Sequence, residues 1–140
     1  MRLLLLLLLL LPGLQACTPQ RASTQSAPAT EQANPAVIVR LSAEEFLARY
    51  TPEAVILDVR TPEEFAQGHL KGARNVNVLA ADFRERIQAL NLDPNAPVYL
   101  YCRSGRRSQR AAEILRDMGF RKLYNIGGFN DLARAGAAVE

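Results

Sequence analysis

Val98-Tyr99-Leu100-Tyr101-Cys102-Arg103-Ser104-Gly105-Arg106-Arg107-Ser108 is the stretch that decides the fold of this chain. Its first four residues form an apolar run of strand length, and a helical pattern opens near Ser108. A thiol therefore stands where a buried strand ends and a helix begins. At such a junction a tight loop aims several backbone N–H groups, and the positive end of the helix dipole, at one anion. A thiolate is such an anion. Arg103, Arg106 and Arg107 add positive charge, so the Cys102 pKa is expected below the free value of roughly 8.5. Gly105 permits a mid-loop turn that a residue with Cβ resists. The bland alternative is an inert buried cysteine beside solvated arginines, and the strand–Cys–Gly–Arg–helix order argues against it.

Downstream of this loop, Ala111, Ile114, Leu115 and Met118 share one helix face, and Gly119 is the expected stop. Leu123 to Ile126 reads as a strand, Gly127-Gly128 as a turn and Phe129 to Ala135 as a short helix. Upstream, Val37-Ile38-Val39 is a β-type run. Ser42-Ala43-Glu44-Glu45 is a capping box opening a helix that Pro52 ends. Ala54 to Val59 is near-continuously apolar, as a strand covered on both faces is. Thr61-Pro62-Glu63-Glu64 is a second capping box with Pro at the first helical position, and Gly68 stops it. Val76-Asn77-Val78 reads as a further strand, and Leu79, Phe83, Ile87 and Leu90 as a helix face. Strands alternating with helices at these lengths predict one α/β domain of three layers, a central parallel β-sheet flanked by helices. In such sheets the ligand site lies at the carboxyl ends of the strands, where Cys102 falls.

The chain holds 140 residues, 49% of them apolar, with a formal charge of +3. That is room for one domain plus extras. No basic tract interleaved with aromatics points to nucleic acid, and Trp is absent. Two cysteines cannot make a disulfide framework, and a single histidine, His69, gives no metal-ligand spacing. Met1-Arg2 followed by Leu3 to Leu11 is too short for a span of ~20 residues and reads as an export signal over residues 1–16. Leu14-Gln15-Ala16-Cys17 resembles the bacterial lipobox, which implies lipidation of Cys17. Cleavage after Ala16 to give a soluble periplasmic protein is the alternative. By resemblance to sorting patterns, Thr18 after the cysteine points to the outer membrane. Residues 17–36, rich in Pro, Ser, Thr, Gln and Ala, form a tether, and 37–140 form the domain.

The domain resembles the rhodanese, or sulfurtransferase, family. The likeness rests on Asp58-Val59-Arg60, Glu64-Phe65, Gly68-His69-Leu70-Lys71-Gly72-Ala73-Arg74-Asn75, the Cys102 to Ser108 loop, Ala111-Ala112, Leu115, Gly119-Phe120, and Asn125 with Gly127-Gly128. Within the family it resembles small exported single-domain thiosulfate sulfurtransferases. Where many members place a Trp after the glycine pair, this chain has Phe129-Asn130-Asp131.

The resemblance implies that Cys102 is the nucleophile. It takes a sulfane sulfur from thiosulfate, polysulfide or a related donor, holds it as a persulfide, and passes it to cyanide or a thiol. It implies no cofactor. Arg103, Ser104, Gly105, Arg106, Arg107 and Ser108 are the expected donor-binding loop, with Arg107 or Arg106 in contact with the donor and Arg103 and Arg110 more solvated. Asp58, Arg60, His69 and Arg74 are expected to support it: Asp58 and Arg60 by internal hydrogen bonds, His69 by a structural hydrogen bond rather than as a Cys–His dyad. Arg74 either reaches the pocket or pairs with Glu64. Spacing excludes the cysteine phosphatases, whose Cys-x5-Arg loop would need arginine where Ser108 stands. The other readings are a persulfide carrier with a dedicated partner and a non-enzymatic binding module. A monomer without intramolecular disulfide is expected, touching a membrane only through Cys17.

Overall fold

The computed structural model describes residues 36–140. The expected signal at 1–16, Cys17 and all but the last residue of the tether at 17–36 lie outside the described residues. In chain order the elements are β1 (Val37–Arg40), α1 (Ala43–Arg49), β2 (Val55–Asp58), α2 (Pro62–Ala66), β3 (Arg74–Asn75), α3 (Phe83–Ala89), β4 (Pro97–Cys102), α4 (Arg106–Asp117), β5 (Lys122–Gly128) and α5 (Phe129–Arg134). The five strands form one parallel sheet in the order β1-β5-β4-β2-β3.

Period-two alternation along β4 builds two cores. Val98, Leu100 and Cys102 face one way, packing with Leu57, Phe83, Ile87, Ala111 and Leu115. Tyr99 and Tyr101 face the other, packing with Phe46, Ile56, Ile126 and Leu132. Both faces of the strand are covered, which is why it reads as an unbroken apolar run. The result is the expected three-layer α/β domain. Chain order then fixes where a ligand sits. The connection after β2 runs outward to β3 and that after β4 runs the opposite way to β5. The carboxyl ends of β2 and β4 therefore flank a topological switch point, where such folds open a crevice.

Both capping boxes form. Ser42 accepts from the Glu45 N–H and Thr61 from the Glu64 N–H, while each glutamate side chain accepts from its N-cap residue. Four boundaries differ from the sequence expectation. The edge strand is Arg74–Asn75 rather than Val76–Val78; the two valines are buried in the core and their N–H groups still donate to Asp58 O and Val59 O, at and just beyond the end of β2. The helix expected from Leu79 begins at Phe83, because the Asn77 side chain accepts from the Leu79 N–H and holds a turn there. Helix α4 starts at Arg106, two residues early, since its apolar face begins only at Ala111 and its first buried side chain, Ser108, is polar. Gly127-Gly128 is not a turn but the end of β5, which reaches Cys102: Leu100 pairs with Asn125 and Cys102 with Gly128, so β5 carries one extra residue there. Gly127, at φ 90°, absorbs that bulge.

Candidate active site

The loop between β4 and α4 is a sulfur cradle. Cys102 is fully buried at the last position of β4. Gly105, left-handed at φ 86°, reverses the chain so that its own N–H donates to Cys102 Sγ at 3.1 Å. The backbone N–H groups of Ser104 and Ser108 lie near enough to the sulfur to favour its charged form. Burial, the largest single influence, pushes the thiol up. The three N–H groups and the Ser108 hydroxyl together outweigh it and hold the Cys102 pKa below its ordinary value. The sequence expectation placed this lowering on arginine charge as well as on the backbone. In the structure loop dipoles and a hydroxyl are the leading causes, and Arg107, close enough to Cys102 for the two to interact, adds its charge.

A second residue holds the cradle in shape. Asn125 is fully buried in β5 and lies beside the bulge. Its Nδ2 donates to Gly105 O (2.9 Å) and to Gln109 Oε1 (3.3 Å), and its Oδ1 accepts from Ser108 Oγ (2.8 Å) and from Gly127 N–H (3.2 Å). Ser108 Oγ also stands 3.7 Å from Cys102 Sγ. A hydroxyl has one proton, so the thiolate and Asn125 compete for it. Asn125 entered the sequence reading only as part of a motif. An amide at an interior position of an otherwise apolar strand was the available signal, because such a group is kept only with partners.

Of the supporting residues, Asp58 and Arg60 form a buried pair at the end of β2. Arg60 Nε donates to Asp58 Oδ2 at 2.9 Å and its Nη2 at 2.6 Å, and Nη2 also donates to Gly68 O at 2.7 Å. The guanidinium lies 4.4 Å from the Phe129 ring centroid, so Phe129 stands against the site where many family members have Trp. His69 stacks on Phe65 at 3.6 Å, shares a hydrogen bond with Phe65 O at 3.1 Å, and is tied through its backbone to Glu140. The structure does not bring it to Cys102. Arg74 is exposed on the edge strand. It does not pair with Glu64: that carboxylate is taken by Arg107, Nη1 to Oε2 at 2.7 Å and Nη2 to Oε1 at 2.8 Å. The forked pair holds Glu64 down at about 2, with the Arg107 hydrogen bond as the main cause. Arg107 also lies close enough to Cys102 to be raised by it, after the larger effect of Glu64. Arg103, Ser104 and Arg106 are exposed on the loop. Beside the loop is a cavity of about 370 Å³ lined by Arg60, Glu64, Gln67, Gly68, Arg103, Phe129 and Asn130.

Strand end, glycine turn and helix start thus define the class: a buried cysteine whose sulfur is held by backbone dipoles at the switch point of a parallel α/β sheet. The chain belongs to the rhodanese-like domain family, whose model matches residues 42–135. It is 42% identical over 77 residues to the thiosulfate sulfurtransferase PspE of Escherichia coli, covering 55% of this chain and 72% of that protein. It is 38% identical over 97 residues to the thiosulfate sulfurtransferase GlpE of Pseudomonas entomophila, covering 69% and 84%. A solved rhodanese with anions from E. coli superposes with a TM-score of 0.55 at 36% identity, covering 62% of this chain and 96% of that one.

Proposed function

We propose that the protein is a sulfurtransferase that moves a sulfane sulfur from thiosulfate or a related donor to a thiophilic acceptor through a persulfide on Cys102. The observation that carries this reading is the Cys102 cradle. The Cys102 thiolate attacks the outer sulfur of thiosulfate; an S–S bond forms to the enzyme, the donor S–S bond breaks, and sulfite leaves with the bonding pair. The persulfide anion then gives its outer sulfur to cyanide, forming thiocyanate, or to a thiolate, forming a new persulfide, and the Cys102 thiolate returns. The charge stays on sulfur next to the loop throughout, so the same N–H groups that favour the thiolate favour the persulfide. The names of the relatives in E. coli and Pseudomonas agree with this chemistry.

Residues 1–36 complete the proposal: an exported protein held at the periplasmic face of the envelope by lipidated Cys17. A Cys17→Ser protein is expected to leave the detergent phase for the aqueous one; unchanged partitioning would refute the anchor.

The deciding experiment is thiosulfate-dependent thiocyanate formation by the wild type beside Cys102→Ser, with the intact mass recorded after thiosulfate alone. Turnover abolished in the variant, and one added sulfur on the wild type, are the expected results. A persulfide without turnover would replace the enzyme by a carrier that hands sulfur to a partner. Neither signal would leave a rhodanese-shaped binding module.

A further inference from the structure

Arg60 is locked to Asp58, and Arg107 is forked onto Glu64 within reach of Cys102. Arg84, Arg106 and Arg110 are exposed, and none takes part in an ion pair among the described residues. Helix α4 opens on Arg106 and Arg107 with no acid in its first turn, whereas α1 and α2 each open on two glutamates. Cations at a helix N-terminus oppose its dipole, and Arg106 and Arg110, four residues apart, repel each other along one face. Charge kept against the stability of its own helix points to an anionic ligand. A cleft lies beside it. Residues 78–84 and α4 border a groove of about 310 Å³, lined by Leu79, Ala80, Phe83, Arg84, Arg110 and Ile114 among others. Leu79 is 58% exposed. No acidic residue lines the groove: Asp82, Glu85 and Glu113 lie on the bordering elements but outside it, Asp82 paired with Arg86. The groove opens at the pole of the sheet that carries the site, since the Val78 N–H donates to Val59 O just past β2. Arg107, Arg110 and Ile114 fall on one stripe of α4, so the groove starts a turn from the arginine beside the nucleophile. It shares no residue with the cavity that Arg60, Glu64 and Arg103 line on the other side of the loop.

We propose that this groove docks the sulfur acceptor, a protein whose thiol is followed by an acidic segment carrying an apolar residue. The carboxylates meet Arg84, Arg106 and Arg110, and the apolar side chain covers Leu79 beside Phe83 and Ile114. At a rise of about 1.5 Å per residue, Ile114 lies roughly 10 Å along α4 from Arg107, a length that about three extended residues span. A small thiol is too short to engage the site and the groove together. The acceptor thiolate attacks the outer sulfur of the Cys102 persulfide. A new S–S bond forms to the acceptor, the bond to Cys102 breaks, and Cys102 leaves with the bonding pair as a thiolate. The inference rests on the sulfurtransferase reading and names the partner of the same site.

Synthetic peptides stand in for the acceptor. The first has one cysteine, a leucine three residues further on, and glutamates on both sides of the leucine. A second replaces the glutamates by glutamines, and a third replaces the leucine by serine. With thiosulfate as donor, kcat/KM is measured for each peptide and for cyanide, in wild type, in Leu79→Ser and in the double variant Arg84→Gln/Arg110→Gln. The acidic peptide is expected to outrun the glutamine peptide by about tenfold, and added salt is expected to erase the difference. The double variant is expected to lose that preference, and Leu79→Ser the preference for leucine over serine. Turnover with cyanide, which is too small to reach the groove, is expected to stay at the wild-type level in both. Equal rates for the three peptides in wild type would overturn the proposal. So would variants that slow peptides and cyanide alike, because the effect would then lie in the catalytic loop. A concentration-dependent dimer of the wild type that Leu79→Ser abolishes would give the groove to a second copy of the chain and overturn it too. If thiosulfate leaves no sulfur on Cys102, the sulfurtransferase reading itself fails, and the acceptor site with it.

Discussion

Ser108 carries one proton and faces two acceptors, Asn125 Oδ1 at 2.8 Å and Cys102 Sγ at 3.7 Å. While the sulfur is a thiol, the short bond to the amide oxygen is the better one. Once the sulfur carries charge, a charge-assisted bond to it is worth more, and Asn125 Oδ1 keeps the Gly127 N–H as a partner. Ser108 is therefore a reserve donor that engages the nucleophile when it ionises. Ser108→Ala removes that donor and leaves the three backbone N–H groups in place. The thiol pKa, followed by thiolate absorbance against pH, is expected to rise by roughly one unit, since a hydrogen bond to a charged group is worth about 1.5–3 kcal/mol and part of it is recovered by water. Transfer at neutral pH falls in proportion to the lost thiolate and recovers at alkaline pH. A variant with the wild-type titration would show that the backbone alone sets the acidity of Cys102.

At the scale of elements, the site depends on how closely β5 approaches the loop that leaves β4. Gly128 has φ −108°, a conformation open to any residue, yet a Cβ there would stand 2.5 Å from Arg103 O. Gly119 is the reverse: φ 98°, with open space around a Cβ. The two glycines make a matched pair of tests. Gly119→Ala is expected to cost about 1–2 kcal/mol in denaturant unfolding through backbone strain, and to leave transfer intact. Gly128→Ala must displace the Arg103 backbone, so sulfur transfer is expected to drop by at least about tenfold, out of proportion to any loss of stability. Equal activity in the two variants would mean that the loop tolerates displacement. Local sequence made some of this legible. The capping boxes at Ser42 and Thr61, the β4 run and Gly105 all act through near neighbours in the chain. The pairing of Cys102 with Gly128 does not. It depends on an extra residue in β5, and a glycine pair in sequence looks the same whether it turns the chain or ends a strand. Glu64 is a similar case: its partner lies 43 positions away, and no local pattern separates Arg107 from Arg74.

On the scale of the whole molecule, the Glu64–Arg107 pair ties α2, which follows β2, to the start of α4, which follows β4. It spans the switch point that the sheet order creates, so it links stability to pH. The Glu64 carboxyl lies at about 2 in the fold against an ordinary 4.5. Its folded value is depressed, so the native state binds its proton less readily than the unfolded chain does. The stabilisation is present in full above about pH 4.5 and drains away as pH falls toward 2. With the side chain 28% exposed, water weakens the pair, and its contribution is on the order of 1–2 kcal/mol. Urea unfolding of wild type and Glu64→Gln, at about pH 7 and again at about pH 2, isolates it. The wild type is expected to be more stable at the higher pH by that amount, and most of the difference is expected to be gone at the lower one, where the Glu64 carboxyl is about half protonated in the fold and protonated in the unfolded chain. A gap of the same size at both values would assign the loss to the α2 cap or to packing rather than to charge. The Glu64 carboxylate would then contribute nothing measurable to holding the two halves of the site together.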